Sequence, residues 1–148
     1  MNRRSILADV NIWLATLVEQ HPHHHIAVHW WQREVILDEK TVIFCRITQL
    51  GLLRLLTNEK VMGPQRRSLE QAFSDYSQLL EQKIVDYADE PAGLEQKLKS
   101  YCGLGRQSRN FWTDAYLAAF ACSADFSLVT FDRGFRLFSE LDLRLLGD

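Results

Sequence analysis

Three aspartates stand where a carboxylate can do chemistry: Asp9 in Ile6-Leu7-Ala8-Asp9-Val10-Asn11, Asp114 in Trp112-Thr113-Asp114-Ala115-Tyr116, and Asp132 in Leu128-Val129-Thr130-Phe131-Asp132-Arg133. The apolar runs before Asp9 and Asp132 read as buried parallel strands, and ligands of open α/β sheets sit at the carboxyl ends of such strands. Those two carboxylates therefore project from strand ends, and Asp114 joins them from the first turns of a helix. Carboxylates so gathered repel one another unless a hard cation neutralises them, which points to Mg²⁺ or Mn²⁺. The chemistry expected is metal-dependent nuclease chemistry, with Asp9, Asp114 and Asp132 holding the ion against a scissile phosphate. Each aspartate also has a plainer role: a helix cap at Asp9, a solvated helix start at Asp114, a turn residue at Asp132.

The elements that must position these residues alternate between strand-like and helix-like segments, which implies a parallel sheet with helices on its faces. Ser5 to Ala8 is predicted as the first strand and Val10 to Glu19 as the helix after it. His21-Pro22 breaks that helix. A second amphipathic helix is expected from His23 to Leu37, with Ile26, Trp30 and Leu37 buried, and then a strand from Thr41 to Cys45. Thr48 is expected to cap a helix running through Leu56.

Gly63-Pro64 is read as opening a helix to Gln82, with Leu69, Ala72, Phe73, Tyr76 and Leu80 at helical spacing. Ile84 to Tyr87 is a third strand, Pro91 to Tyr101 a helix, and 103–108 a loop. Asn110 to Ser123 is a helix whose ridge is Trp112, Ala115, Tyr116, Ala119 and Phe120. Ser127 to Phe131 is a strand, and Leu141 to Leu146 an edge strand.

The chain has 148 residues, 47% hydrophobic and 24% charged, enough for one domain with a substantial core. No apolar stretch approaches the roughly 20 residues of a membrane helix, and the run after Met1-Asn2-Arg3-Arg4 breaks at Asp9, unlike a signal peptide. Cys45, Cys102 and Cys122 lack CxxC spacing and read as reduced, mostly buried thiols of a cytoplasmic protein. A formal net charge of −2 argues mildly against a dedicated nucleic-acid binder. Local clusters matter more: Arg66-Arg67, Arg106 with Arg109, and Arg133 with Arg136, two of them beside the aspartate segments.

Other groups mimic sites. His25 and His29 have the i,i+4 spacing of a zinc pair, but no Glu or Cys at zinc-site spacing accompanies the run His21 to His29, so helix-start and surface roles are expected. Trp30, Trp31 and Phe44 read as core or interface rather than base-stacking rings. Gly103 and Gly105 lack the Lys-Ser/Thr of a phosphate loop.

The ordered set Leu-Ala-Asp9-Val-Asn11, Asp114-Ala-Tyr-Leu-Ala-Ala and Leu-Val-Thr-Phe-Asp132-Arg-Gly-Phe resembles the PIN domain of VapC-type toxins, over almost the whole chain. Ile47-Thr48-Gln49-Leu50-Gly51-Leu52-Leu53-Arg54 also resembles the third-helix region of one branch of that family. The resemblance implies a single PIN-like domain, an α/β/α sandwich around a central parallel sheet. It further implies a Mg²⁺/Mn²⁺-dependent ribonuclease that leaves 5′-phosphate and 3′-hydroxyl ends. Such enzymes are encoded beside an inhibitory antitoxin protein and are commonly homodimers.

One position departs from the pattern. The family's second acidic residue falls at or near Gly51, which has no side chain. Thr48 or Gln49 is expected to contribute an oxygen or hold a water there, without replacing the charge. Arg54, one turn beyond, is expected to reach substrate phosphate or pair with a site carboxylate. Asn11 is expected to orient Asp9 or a metal-bound water, Thr130 to hydrogen-bond the site residues, and Arg133 to contact substrate. The rival expectation is a catalytically weak PIN-like module that binds RNA or protein. A receiver-like domain is excluded, because Asp9 has no acidic neighbour and no lysine follows Lys99.

Overall fold

The structure is a computed structural model that describes residues 5–105 and 108–147. Five short strands, β1 (Ser5–Ala8), β2 (Thr41–Phe44), β3 (Val85–Tyr87), β4 (Ser127–Thr130) and β5 (Leu143–Leu145), form one sheet in the order β3-β2-β1-β4-β5. All four pairings are parallel. The chain leaves β1 for β2 and β3 on one side, then returns to β4 on the other. The order therefore reverses between β1 and β4, and a crevice opens at their carboxyl ends. Asp9 and Asp132 come directly from those two ends.

Side chains alternate across each strand and so feed two apolar layers. Ile6, Ala8, Val42, Phe44 and Val129 pack on one face, against Ile12, Trp13, Leu52 and Tyr76. Leu7, Ile43 and Leu128 pack on the other, against Ala115, Leu117, Ala118 and Phe120. The first layer is covered by α1 (Val10–Leu17), α2 (His24–Trp30), α3 (Arg46–Leu56) and α5 (Leu69–Glu81). The second is covered by α6 (Leu94–Ser100) and α7 (Phe111–Ala124). This is the α/β/α sandwich expected from the sequence.

Several boundaries and faces differ. The helix expected from His23 to Leu37 is α2 followed by a π-helical segment, Trp31–Ile36. The wider turn advances the buried stripe from Trp30 to Val35, five residues on, and leaves Leu37 at 67% exposure, while Ile26, earlier in α2, is 38% exposed. Cys45, not Thr48, is the N-cap of α3; Thr48 lies in the first turn, and its hydroxyl accepts from the Cys45 amide at 3.0 Å.

Gly63-Pro64 does not open the long helix. A short helix, α4 (Glu59–Met62), ends at Gly63, whose φ of +54° is left-handed. The long helix α5 starts from a capping box of Ser68 and Gln71, five residues later than expected, and its Leu69 and Phe73 face solvent. Trp112 also points outward rather than into the ridge of α7. Part of the 103–108 loop and of the Arg106 cluster lies outside the described residues; Cys102–Leu104 is a 3₁₀ turn. Cys45, Cys102 and Cys122 are all free thiols, but Cys102 is exposed rather than buried. Among the described residues no helix is long and apolar enough to cross a membrane.

Candidate active site

Asp9 follows the last residue of β1 and caps α1, with Oδ1 accepting from the Val10 amide at 2.7 Å. Its other oxygen, Oδ2, accepts from the Thr130 hydroxyl at 2.8 Å, a contact made possible by the β1–β4 pairing. The same Thr130 oxygen accepts from the Asp132 amide at 3.0 Å. Asp132 Oδ1 in turn accepts from the Gly134 amide at 2.8 Å, which starts the 3₁₀ turn Arg133–Leu137. Buried Thr130 therefore ties the two strand-end aspartates into one unit.

Asp114 reaches the same crevice from the first turn of α7. The helix approaches the sheet closely because its inward residues are mostly alanine: Ala115, Ala118, Ala119 and Ala121 are fully buried. Burial, and then the charges of Asp9 and Asp132, push the Asp114 carboxyl up to about 7. Asp9 is also raised, first by burial, with the Thr130 and Val10 hydrogen bonds opposing and Asp132 adding to the rise. The three carboxylates thus sense one another electrostatically, as the sequence reading requires.

Their closure is looser than expected. Among the described residues no group of three His, Cys, Asp or Glu side chains forms a ready-made cation cage. Asp9 and Asp132 are turned instead onto backbone N–H groups and Thr130. The donor set remains an all-oxygen, mutually repelling one, which suits a hard divalent cation.

The supporting residues divide. Thr130 has the bridging role just described. Asn11 is exposed on the first turn of α1 beside Asp9, and Arg133 is exposed next to Asp132. Thr48 and Gln49 are buried and their hydrogen bonds are spent elsewhere: Thr48 on Cys45, and the Gln49 oxygen on Arg46. Arg54 is exposed two turns along α3, remote from the helix start at the sheet edge.

A side chain at position 51 requires Val10 to shift. A Cβ built on Gly51 lies 2.6 Å from Val10 Cγ2, so α3 and α1 touch where an acidic side chain would have to pass.

The histidine run is structural at two points. His24 Nδ1 donates to the Ala15 carbonyl at 2.7 Å, and the His23 ring lies against Phe131. Trp30 and Phe44 are core residues, Phe44 stacking on Trp13 with centroids 3.8 Å apart.

Arg46 and Tyr116 carry no sequence motif. Arg46 is the first residue of α3, and Tyr116, two residues beyond Asp114, donates to Glu90 at 2.7 Å. An arginine one residue past a strand end, with a glutamine three residues later, was the available signal for the first.

Comparison with known proteins agrees with this geometry. A family profile for the PIN domain matches residues 6–141. Ribonuclease VapC41 of Mycobacterium tuberculosis is 39% identical over 147 residues, covering 96% of this chain and 99% of the relative. Two solved structures share the fold at 16% identity. VapBC2 from Rickettsia felis, bound to a DNA fragment from its promoter, has a TM-score of 0.69 and covers 96% of this chain and 98% of its own. VapC20 of Mycobacterium tuberculosis, a sarcin-ricin loop cleaving toxin, has a TM-score of 0.68, covering 94% and 98%. With its aspartates at the switch point of a five-stranded parallel sheet, the chain belongs to the PIN-domain family and groups there with the VapC-type ribonucleases.

Proposed function

We propose that this protein is a metal-dependent endoribonuclease, the toxin of a VapBC-type toxin–antitoxin pair. One observation carries the chemistry: Asp9 and Asp132, joined through Thr130, face Asp114 across the crevice, and burial and mutual repulsion raise Asp114 to about 7. The near full-length likeness to a ribonuclease supports RNA as substrate, and the likeness of the fold to a VapBC complex supports an antitoxin partner.

When bound, Mg²⁺ or Mn²⁺ supplies Lewis acidity toward the phosphodiester and lowers the pKa of water. Asp9, Asp114 and Asp132 are the residues that would hold it. Val10 and Thr130 fix the Asp9 carboxylate from two sides, and the Gly134 amide fixes Asp132. Asp114 faces them from α7, so the phosphate is held between strand ends and helix. Asn11 and Arg133 flank this point and contact the substrate strand. The exposed Leu69 and Phe73 on α5 give the antitoxin or a second copy of the chain an apolar face.

The closed contact between Gly51 and Val10 favours one rival, a PIN-like module that binds RNA or protein without cutting. Incubating purified, antitoxin-free protein with a mixed RNA pool separates the two. Cleavage that needs Mg²⁺ or Mn²⁺, stops with EDTA and leaves 5′-phosphate ends is the expected result. Intact RNA under both metals, with a folded protein, establishes the binding module.

A further inference from the structure

Arg46 is held in place by neutral groups alone. Its Nη1 donates to Gln49 Oε1, and its guanidinium lies over the Tyr87 ring, 5.1 Å from the centroid. Gln49 is buried, and its Oε1 is the acceptor for Arg46. A buried amide oxygen is costly unless it is hydrogen-bonded, and here it is satisfied by aligning one arginine. The other well-placed cations are neutralised: Arg67 by Asp75, Lys97 by Glu140 and Arg144 by Glu34. Among the described residues no carboxylate pairs with Arg46. Its position is fixed while its charge stays uncompensated, an arrangement suited to an incoming anion.

Its place in the sheet selects the anion. Leu7 pairs with Ile43, so Asp9 is level with Cys45, and Arg46 follows Cys45 as the first residue of α3, at the carboxyl end of the neighbouring strand. Tyr87, under the guanidinium, ends β3 and pairs with Phe44. The cation therefore lies on the β2–β3 side of the carboxylates, whereas Asp132 and Arg133 lie on the β4 side.

We infer that Arg46, oriented by Gln49 and Tyr87, binds a backbone phosphate of the RNA strand flanking the scissile bond, on the β3 side of the site. The inference rests on the ribonuclease reading and adds a direction to it: the strand crosses the carboxyl edge of the sheet from β4 toward β3. Arg46 is a binding residue in this account, and Gln49 is a positioning residue that acts through it.

The test uses the full chain and short single-stranded RNA cut by the wild type. For Arg46→Ala, KM is expected to rise about tenfold while kcat changes much less. RNA binding is measured with Asp9→Asn and with Asp9→Asn/Arg46→Ala. The double variant is expected to bind more weakly, with a slope of log affinity against log salt shallower by about 0.7, one phosphate contact on a single strand. Methylphosphonate at one flanking linkage is expected to weaken the wild type and leave Arg46→Ala unaffected. Gln49→Leu, checked for native thermal unfolding, is expected to show part of the same KM effect.

Cleavage by the wild type with unchanged KM and salt slope in Arg46→Ala overturns the subsite and leaves the nuclease standing. So does a methylphosphonate scan in which no linkage depends on Arg46; a contact to an antitoxin carboxylate would give that result. Wild type that neither binds nor cuts RNA overturns both. RNA that binds through Arg46 without being cut keeps the subsite and removes the nuclease.

Discussion

Gly51 and Val10 compete for one volume: a methyl carbon of Val10 lies 2.6 Å from where any Cβ at position 51 would stand. Valine is stiff about χ1 and cannot swing clear without cost. A side chain at position 51 therefore requires α1 and α3 to readjust around Val10.

Gly51→Ala tests that contact. Alanine in a helix gains up to about 1 kcal/mol over glycine, whereas overpacking costs about 1–3 kcal/mol. A net loss near 1 kcal/mol in urea unfolding is expected, and Val10→Ala in the same chain should reverse its sign. A Gly51→Ala variant more stable than wild type, with Val10 intact, contradicts the packing.

Thr130→Val removes the hydroxyl between the two strand-end aspartates while keeping its shape. Loss of the 2.8 Å bond to Asp9 and the 3.0 Å bond from the Asp132 amide should cost about 1–2 kcal/mol of stability. Cleavage should fall about 10- to 100-fold, as for other residues that orient metal ligands. Thr130→Ser should retain most activity. Full activity in Thr130→Val would show that the bridge does not organise the site.

The raised Asp114 gives stability a defined pH dependence. In the unfolded chain this carboxyl releases its proton near 3.8, and in the native protein only near 7. Between those values the native state holds more protons, so stability falls as pH rises through the window. Asp114→Asn removes the effect, and its stability relative to wild type should increase from pH 4 to pH 8 in chemical unfolding. Added Mn²⁺ at pH 8 should raise the wild-type melting temperature and leave the variant little changed. Parallel pH profiles for the two proteins would show that neither burial nor the neighbouring carboxylates raise Asp114.

Much of this was legible in the residues. Ile-Leu-Ala before Asp9 and Leu-Val-Thr before Asp132 are short apolar runs whose strand character needs no context, and β1 spans Ser5–Ala8 as read. What stayed hidden depends on tertiary context. A π-helical segment shifts the buried stripe onto Val35, which a 3.6-residue period cannot show. Gly63-Pro64 looks like a helix opening until Gly63 is seen at φ +54°. Thr48 and Gln49 looked like spare oxygens near the site, yet Cys45 and Arg46, at the start of the same helix, occupy them.

The most direct measurement is RNA cleavage by wild type and by Asp9→Asn, Asp114→Asn and Asp132→Asn, side by side in Mn²⁺ and in EDTA. Rapid cleavage by wild type only in Mn²⁺ is predicted, with each variant slower by at least about a hundredfold, since several kcal/mol of transition-state stabilisation pass through these carboxylates. Cleavage that persists in EDTA, or that survives loss of Asp9, would contradict a metal-dependent site at the ends of β1 and β4.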